Sequence, residues 1–531
     1  MLVVLFIFAI DGIQSLYLSE KDNYNSLSPL SRFQLPIIGA IIILIFAKIT
    51  GYKYVRTGIA FVLYRLKIAN GVIPIGNTIS QFIGGAIALA TGFSMGKEGP
   101  SVHLGAACSS YIGNKLNLPY NAVRTLSACG IAAGIAACFN TPVAAVLFVM
   151  EVILREYKVH IFIPVMIASI VGSMVTRTIF GPVHEFAYFT NIILNSHHYL
   201  ALIILGGLLG ALAFIFNRYS ILVIKHSARI HIVARLMSAA LITGAIGYIV
   251  PHAMGTGLGV IDFSLQDNPE LMLLLALLVA KMIMTITSLG LGIPGGVIGP
   301  IIGIGAIVGS CASIITFYFM PESIQTSDFI LMGMAGFMAA TLNAPIAALL
   351  FVVEMSHQIE IIMPAMIVIT SACITSGQFF NNRSLFIMQL DVQGLAYSRP
   401  PVEKSLQLIG VIGVMRENLT FLTAVDDQKI KQVLFNTDPM QNIVIKQPQT
   451  DAGEQFILCQ QNVSKNSDNT ALEKHILIPL SSQSTLAEAY VLLENARAGG
   501  VYIYQDNPSE IMGIITFDAI RAYLLKGKTH S

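Results

Sequence analysis

Lys97 and Glu98 stand side by side in an otherwise apolar part of this sequence, inside residues 96–100, which read Gly-Lys-Glu-Gly-Pro. Ionisable side chains at membrane depth are costly, and they usually line a pathway for ions or protons. Gly99 followed by Pro100 is typical of a helix start, where free N–H groups and the helix dipole attract an anion. The segment indicates either an anion site for which Glu98 competes or a Glu98 that simply packs at a helix N-terminus.

The composition predicts that membrane helices position these residues. Of 531 residues, 55% are hydrophobic and 11% are charged, against about 25% charged in soluble proteins. We therefore expect an all-α polytopic membrane protein. The net charge of +2 gives no basis for nucleic-acid binding. The six cysteines show no CxxC spacing and predict no disulfide framework or zinc site. No nucleophile–base constellation appears, so an enzyme is not expected.

The charged residues divide the chain into two parts. Residues 393–531 hold 12 Lys and Arg and 14 Asp and Glu, which is 26 of the 60 in the chain. We predict an embedded domain over 1–392, a linker over 393–408 and a small soluble α/β domain over 409–531. The apolar run at the start has no basic leader or cleavage site, so we expect a truncated first membrane helix to about Leu18 and no signal peptide.

The embedded part contains an internal duplication. Residues 140–151 recur as 343–354, with Asn, Pro and Glu at matching places, and the Gly99-Pro100 pair recurs as Gly299-Pro300. The two repeats are expected at about 34–179 and 199–391. Helices broken at matching positions of two halves point to a transporter or channel site. The sequence does not reveal whether the second repeat is inverted.

These motifs resemble the ClC family of chloride channels and chloride/proton exchangers, over nearly all of residues 1–392. The family signatures GSGIP, GREGP and GGIFAP correspond here to residues 56–60 (Arg-Thr-Gly-Ile-Ala), 96–100, and 295–300 (Gly-Gly-Val-Ile-Gly-Pro). The resemblance implies a fold of tilted, broken helices in an inverted repeat. It also implies a homodimer with one pore per subunit in the bilayer of a bacterial inner membrane, with a cytoplasmic tail.

The resemblance also assigns roles to particular residues. The Glu98 carboxylate is expected to gate the pathway by occupying an anion site. The expected chloride-binding residues are Thr57, Gly99, Val297, Ile298 and Phe386, and a possible proton pathway comprises Glu98 and Glu151. Because chloride can be held by N–H and O–H dipoles, we expect no cofactor or metal, and we expect Lys97 to point away from the ion.

Several of these residues also have a structural interpretation. Glu151 and Glu354 could be charges at helix ends that meet water, which is the interpretation we favour for Glu354. Phe386 could be ordinary core packing. For His103 we predict a packed, hydrogen-bonded ring.

Two departures from the family pattern bear on mechanism. Val152 stands where exchangers commonly carry a proton-transferring glutamate, and an apolar side chain cannot relay a proton. Phe386 replaces a common tyrosine and provides no hydroxyl, whereas Thr57 keeps one, so chloride is the default anion.

We predict a channel-like chloride transporter, with a chloride/proton exchanger as the alternative. Another anion-coupled secondary transporter is a remote third possibility, since no cluster of Asp residues suggests a cation site.

The tail resembles a pair of CBS modules. A helix–strand–strand–helix order is predicted within 478–527, and a degenerate first unit near 409–460 has candidate strands at 411–414 and 442–445. Asp518 follows Thr516 by two positions rather than the three typical of nucleotide-binding modules. This argues against an adenine nucleotide and favours a regulatory or dimer-supporting role.

Overall fold

The computed structural model describes residues 1–51, 58–181, 198–265, 270–319, 326–395, 401–423, 442–449, 453–462 and 471–526. The chain forms two compact units. The first comprises Met1–Ile112 and Thr125–Tyr397, and the second comprises Gly113–Arg124 and Ser398–Ser531. Residues 396–400 of the predicted linker lie outside the described residues.

The first unit is built from helices. In chain order they are α1 (Leu2–Gln14), α2 (Pro29–Ile49), α3 (Gly58–Lys67), α4 (Ile75–Ala90), α5 (Glu98–Lys115), α6 (Tyr120–Phe139), α7 (Pro142–Phe148), α8 (Val159–Phe180), α9 (Tyr199–Ser227), α10 (Ile232–Ile249), α11 (Leu258–Ser264), α12 (Leu271–Leu291), α13 (Ile298–Phe319), α14 (Thr326–Leu342), α15 (Pro345–Ser356), α16 (Ile362–Ile374) and α17 (Leu385–Val392). Two π-helical turns, Val149–Leu154 and Thr375–Phe379, continue α7 and α16.

Their lengths and surfaces suit a membrane. Among the described residues, eight helices have at least 18 residues and enough apolar character to cross a bilayer. Large apolar side chains are exposed along them, for example Ile163, Ile167 and Ile170 on α8. Such faces are costly in water and suit contact with lipid tails.

The duplicated Asn-x-Pro motif breaks the helices in the same way twice. Asn140 and Asn343 adopt the left-handed conformation, with φ of 56° and 54°. Asn is one of the few residues that tolerate this conformation, which commonly ends a helix. Pro142 and Pro345 then occupy the first positions of α7 and α15, where a missing N–H costs nothing.

Glu151 and Glu354 show that the repeats are inverted. The Glu151 carboxylate accepts hydrogen bonds from the N–H groups of Ile346 (3.3 Å) and Ala347 (2.7 Å), at the start of α15. Reciprocally, the Glu354 carboxylate accepts from the N–H groups at the start of α7, at 3.1 and 2.8 Å. Because each carboxylate lies far along its own helical segment, α7 and α15 must run antiparallel. Glu354 is thus a helix cap, and the interpretation as a simple water-facing charge is wrong.

Within each repeat, glycine lets two neighbouring helices approach closely. A Cβ placed on Gly105 of α5 would collide with the carbonyl of Gly130 on α6. The same relationship joins Gly305 of α13 to Gly333 of α14. Small residues at helix crossings are the usual way in which membrane helices bring their backbones together.

The second unit contains two sheets. Its elements are α18 (Pro401–Leu406), β1 (Leu419–Thr423), β2 (Asn442–Gln449), β3 (Gly453–Asn462), β4 (Ala471–Ile476), β5 (Ile478–Ser481), α19 (Leu486–Leu493), β6 (Gly500–Tyr504), β7 (Gly513–Thr516) and α20 (Phe517–Lys526). The sheet orders are β1-β2-β3-β4 and β5-β6-β7. β1 pairs parallel with β2, and β5 pairs parallel with β6, whereas the other pairs are antiparallel.

The predicted helix–strand–strand–helix order over 478–527 is present as α19, β6, β7 and α20, preceded by β5. Its core includes Leu486, Val501 and Ile515, all fully buried. In the predicted first CBS-like module, near 409–460, the strand at 442–445 is confirmed as part of β2. The strand predicted at 411–414 is wrong, because Val411–Gly413 forms a 3₁₀ turn.

Candidate functional site

Glu98 is fully buried and reaches across to the other repeat. It begins α5, and its Oε1 accepts a hydrogen bond of 2.5 Å from the backbone N–H of Ile298, the first residue of α13. A helix start is where unpaired N–H groups favour an anion. The negative group at this helix start is therefore the protein's own carboxylate.

Three glycines allow the two backbone segments and the Glu98 carboxylate to lie close together. Gly96 and Gly296 exchange two backbone hydrogen bonds, N–H to C=O, of 2.8 and 2.7 Å. A Cβ on either residue would collide with the Glu98 carboxylate, and one on Gly99 would lie 2.6 Å from the carbonyl oxygen of Gly295. The signatures at 96–100 and 295–300 thus form a single structure in which close backbone approach requires glycine.

A cavity of about 330 Å³ meets this structure from one side. The cavity is bordered by Gly296 and Val297, and the Val297 N–H has no hydrogen-bond partner among the described residues. Phe386, at the start of α17, also lines it, and its ring is 3% exposed. The structure therefore brings Glu98, Gly99, Val297, Ile298 and Phe386 into one region, and their predicted role in binding chloride stays a prediction.

A second cavity, of about 170 Å³, is lined by residues next to this segment. Lys97 lines it, together with Asp22 and Thr256, whose N–H and hydroxyl both donate to the Asp22 carboxylate. The Lys97 ammonium lies 5.7 Å from the ring centroid of Phe139. The orientation of Lys97 relative to the transported ion stays a prediction. Lys97 and Val297 thus border different cavities.

Thr57, the predicted hydroxyl ligand, lies outside the described residues. Its neighbour Gly58 begins α3 and borders the larger cavity. The Gly58 N–H donates to Oε1 of Gln81 at 2.7 Å, and Gln81 is fully buried on α4. Sequence reasoning missed Gln81, although a polar residue inside an apolar helix was a usable signal.

Glu151 is placed differently from the other candidates. Its carboxylate caps α15, and no described contact joins it to Glu98. The neighbouring Val152 is buried, with 5% exposure. The described geometry thus accounts for Glu151 as a cap, and its proposed part in a proton pathway stays a prediction.

His103 packs as predicted but lacks the predicted hydrogen bond. Its ring stacks on Phe61 with a centroid distance of 5.7 Å and an interplanar angle of 9°. Neither ring nitrogen has a partner among the described residues. As for metals, no group of three or more His, Cys, Asp or Glu within the described ranges could hold an ion.

Comparison with known proteins gives consistent results. A family model described as "Voltage gated chloride channel" matches residues 38–377. The "H(+)/Cl(-) exchange transporter ClcA" of Vibrio campbellii is 30% identical over 318 residues, which cover 57% of this chain and 66% of that protein. The protein of the same name from Cronobacter sakazakii is 29% identical over 319 residues, 58% of this chain and 68% of that protein. The chain thus spans about two thirds of the length of these relatives.

Solved structures share the fold at low sequence identity. A slow cyanobacterial Cl-/H+ antiporter matches with a TM-score of 0.65 and 19% identity, covering 74% of this chain and 95% of that one. A eukaryotic CLC transporter matches with a TM-score of 0.60 and 19% identity, covering 97% of this chain and 95% of that one. These likenesses establish a CLC-type architecture for the helical unit.

Proposed function

Because the chain belongs to the voltage-gated chloride channel family, whose members are transporters and channels and not enzymes, we propose that it moves chloride across a membrane past Glu98. The eight apolar helices identify it as an integral membrane protein. Chloride is the proposed substrate, and the Glu98 carboxylate is the proposed gate.

One observation carries this proposal: Glu98 accepts the N–H of Ile298 at the start of α13. An N–H group that binds a carboxylate oxygen can equally bind a chloride ion. When the side chain leaves, the helix start becomes available to an ion from the cavity bordered by Gly296 and Val297. The binding groups are dipoles without a fixed charge in contact, which suits rapid release.

Within this function, exchange of chloride for protons is better supported than a passive channel. Val152 favours the channel interpretation, but the relatives from Vibrio and Cronobacter are named exchange transporters. Exchange requires that Glu98 bind a proton when it leaves the anion site. With valine at position 152, protons would reach Glu98 without a carboxylate at that position.

Assembly and orientation belong to the same proposal. The protein is a homodimer in a bacterial inner membrane, and exposed apolar side chains on α8 and α16 suit burial in lipid or in a partner subunit. Lys225 and Arg229 flank the connection from α9 to α10, and the positive-inside rule places such connections in the cytoplasm. The CBS-like tail is the proposed cytoplasmic regulatory domain.

The decisive experiment measures chloride efflux and internal pH together in proteoliposomes. An outward chloride gradient should drive chloride out and protons in, and should acidify the lumen when no proton gradient is imposed. Protein-free liposomes serve as the control. Chloride flux without proton movement would replace the exchanger with a channel, and absence of chloride flux would overturn the proposal.

A further inference from the structure

The larger cavity has a charged residue that the family motifs do not account for. Of the described residues that line it, Arg235 is the only charged one. Arg235 lies in the first turn of α10, opposite the glycine-rich segment between α12 and α13. A lone cation in the wall of a cavity that also reaches Val297 and Phe386 bears directly on anion entry.

The guanidinium of Arg235 is held in place but is not neutralised. Its Nε donates to the carbonyl of Leu291 at 3.2 Å. Among the described residues, no carboxylate pairs with it, and its terminal nitrogens have no acceptor. An anchored Arg with unused donors is prepared for an anion, because its planar fork loses little freedom when it binds.

Two amide side chains line the same cavity. Gln389 and Gln393 stand four positions apart on and just after α17, so they project from one face of the helix. Both are half-buried, and neither side chain has a hydrogen-bond partner among the described residues. Their NH₂ groups add neutral donors near the cation.

No acidic residue close in the sequence offsets the charge of Arg235, since no Asp or Glu occurs between residues 186 and 261. A cavity with walls of low dielectric and charge of one sign focuses the field and raises the local concentration of the opposite ion.

We propose that Arg235, with Gln389 and Gln393, forms an anion-recruiting station in this cavity, where chloride is held before it reaches the Glu98 site. The inference rests on the proposed function, since chloride is its ligand. It adds a residue that sets the apparent affinity for chloride without taking part in gating. The station holds chloride loosely, because the cavity that Arg235 lines is wide, about 330 Å³, and leaves space around the ion.

The test is chloride exchange in proteoliposomes at equal chloride concentration on both sides, which does not depend on protein orientation. Arg235→Gln should raise the half-saturating chloride concentration about three- to tenfold with the maximal rate kept, because a partly buried charge contact is stronger than one in water. Arg235→Lys should change it less than about twofold. The matched control, Arg229→Gln, removes an exposed cation that does not line the cavity. This variant should leave the half-saturating chloride concentration unchanged.

Gln393→Leu is a second variant that leaves the Arg235–Leu291 hydrogen bond intact and should raise half-saturation about two- to threefold. Unchanged half-saturation in both Arg235→Gln and Gln393→Leu would overturn the inference. An equal shift in Arg229→Gln would also do so, since it would indicate a diffuse surface field. Chloride titration of the purified protein by calorimetry separates the two proposals: a binding step lost in Arg235→Gln supports the station even when the wild type exchanges no chloride.

Discussion

The Glu98 carboxylate and the Ile298 N–H form a hydrogen bond of 2.5 Å between residues 200 positions apart. Each residue begins the matching helix of its own repeat, α5 or α13. The first repeat thus supplies a negative group at the point where the second supplies a backbone donor that has no acceptor inside its own helix. A mobile side chain in this position can exchange places with a small anion.

Replacing Glu98 with Gln tests the gate. Gln has the same size but remains neutral, so it neither competes as an anion nor carries a proton. We expect Glu98→Gln to abolish proton movement and to make chloride flux independent of pH from about 4 to 8, the range in which a carboxyl group responds to its surroundings. Paired chloride and pH recordings in proteoliposomes provide the measurement.

The exposed Glu360 offers the control for this experiment. Glu360→Gln removes the same charge from the surface and should leave both fluxes as in the wild type. A Glu98→Gln protein that still moves protons against their gradient would refute the gating role.

Gly96 and Gly296 are joined by two backbone hydrogen bonds. We expect chloride flux to change strongly when one methyl group is added at this contact. In Gly296→Ala the Cβ would collide with the Glu98 carboxylate, so we expect the side chain to be displaced and chloride flux to change at least about tenfold, as small misplacements at a site can do. Gly12→Ala is the matched control, because a Cβ there meets nothing within 4 Å. Equal flux in the two variants would argue against this packing.

Replacing Phe386 with Tyr should strengthen chloride binding. Phe386→Tyr adds a hydroxyl in the cavity that borders Val297, and a net hydrogen bond of about 0.5–1.5 kcal/mol corresponds to roughly two- to tenfold tighter binding. Calorimetric titration with chloride measures the change. Phe380→Tyr, on a ring that stacks on Phe214, should have no such effect, and unchanged affinity in Phe386→Tyr would place the ring away from the ion.

The Glu151 and Glu354 carboxylates cap α15 and α7, so their removal should lower protein stability, an effect that can be measured separately from transport. Glu151→Ala and Glu354→Ala should each lower the free energy of unfolding by about 0.5–2 kcal/mol, the usual value of a lost helix cap. Thermal unfolding in detergent measures this. Glu151→Gln keeps one acceptor oxygen, so this variant should stay folded. Loss of proton coupling in the folded Glu151→Gln protein would assign Glu151 to the proton pathway, and retained coupling would leave it as a helix cap alone.

Much of this architecture was predictable because it rests on local patterns. Apolar composition predicted membrane helices, and the repeated Asn-x-Pro motif predicted broken ones, since proline and left-handed asparagine act on the backbone where they stand. The signatures singled out Glu98, Gly99, Val297 and Ile298, which the structure brings into one region. The relative order of helices and strands over 478–527 also followed from periodicity.

Other features depended on which segments meet in space. The sequence shows two similar blocks, but their relative direction follows only from the structure. The Ala347 N–H donates to the Glu151 carboxylate, and the Ala144 N–H donates to the Glu354 carboxylate, which shows that the repeats are antiparallel. Gln81 and Arg235 belong to no motif, and they became candidates only when the fold brought them to Gly58 and to the cavity wall.

The sequence by itself therefore determined the membrane class, the duplication and the residue types at the site, because these follow from composition and from backbone preferences over a few positions. The tertiary structure alone decided that Glu98 caps the helix of the other repeat, that glycine is required at positions 96 and 296 beside it, and that Arg235 lines the cavity bordered by Val297. Such pairings join positions far apart in the chain, and their energy depends on distance and burial that only the folded molecule defines.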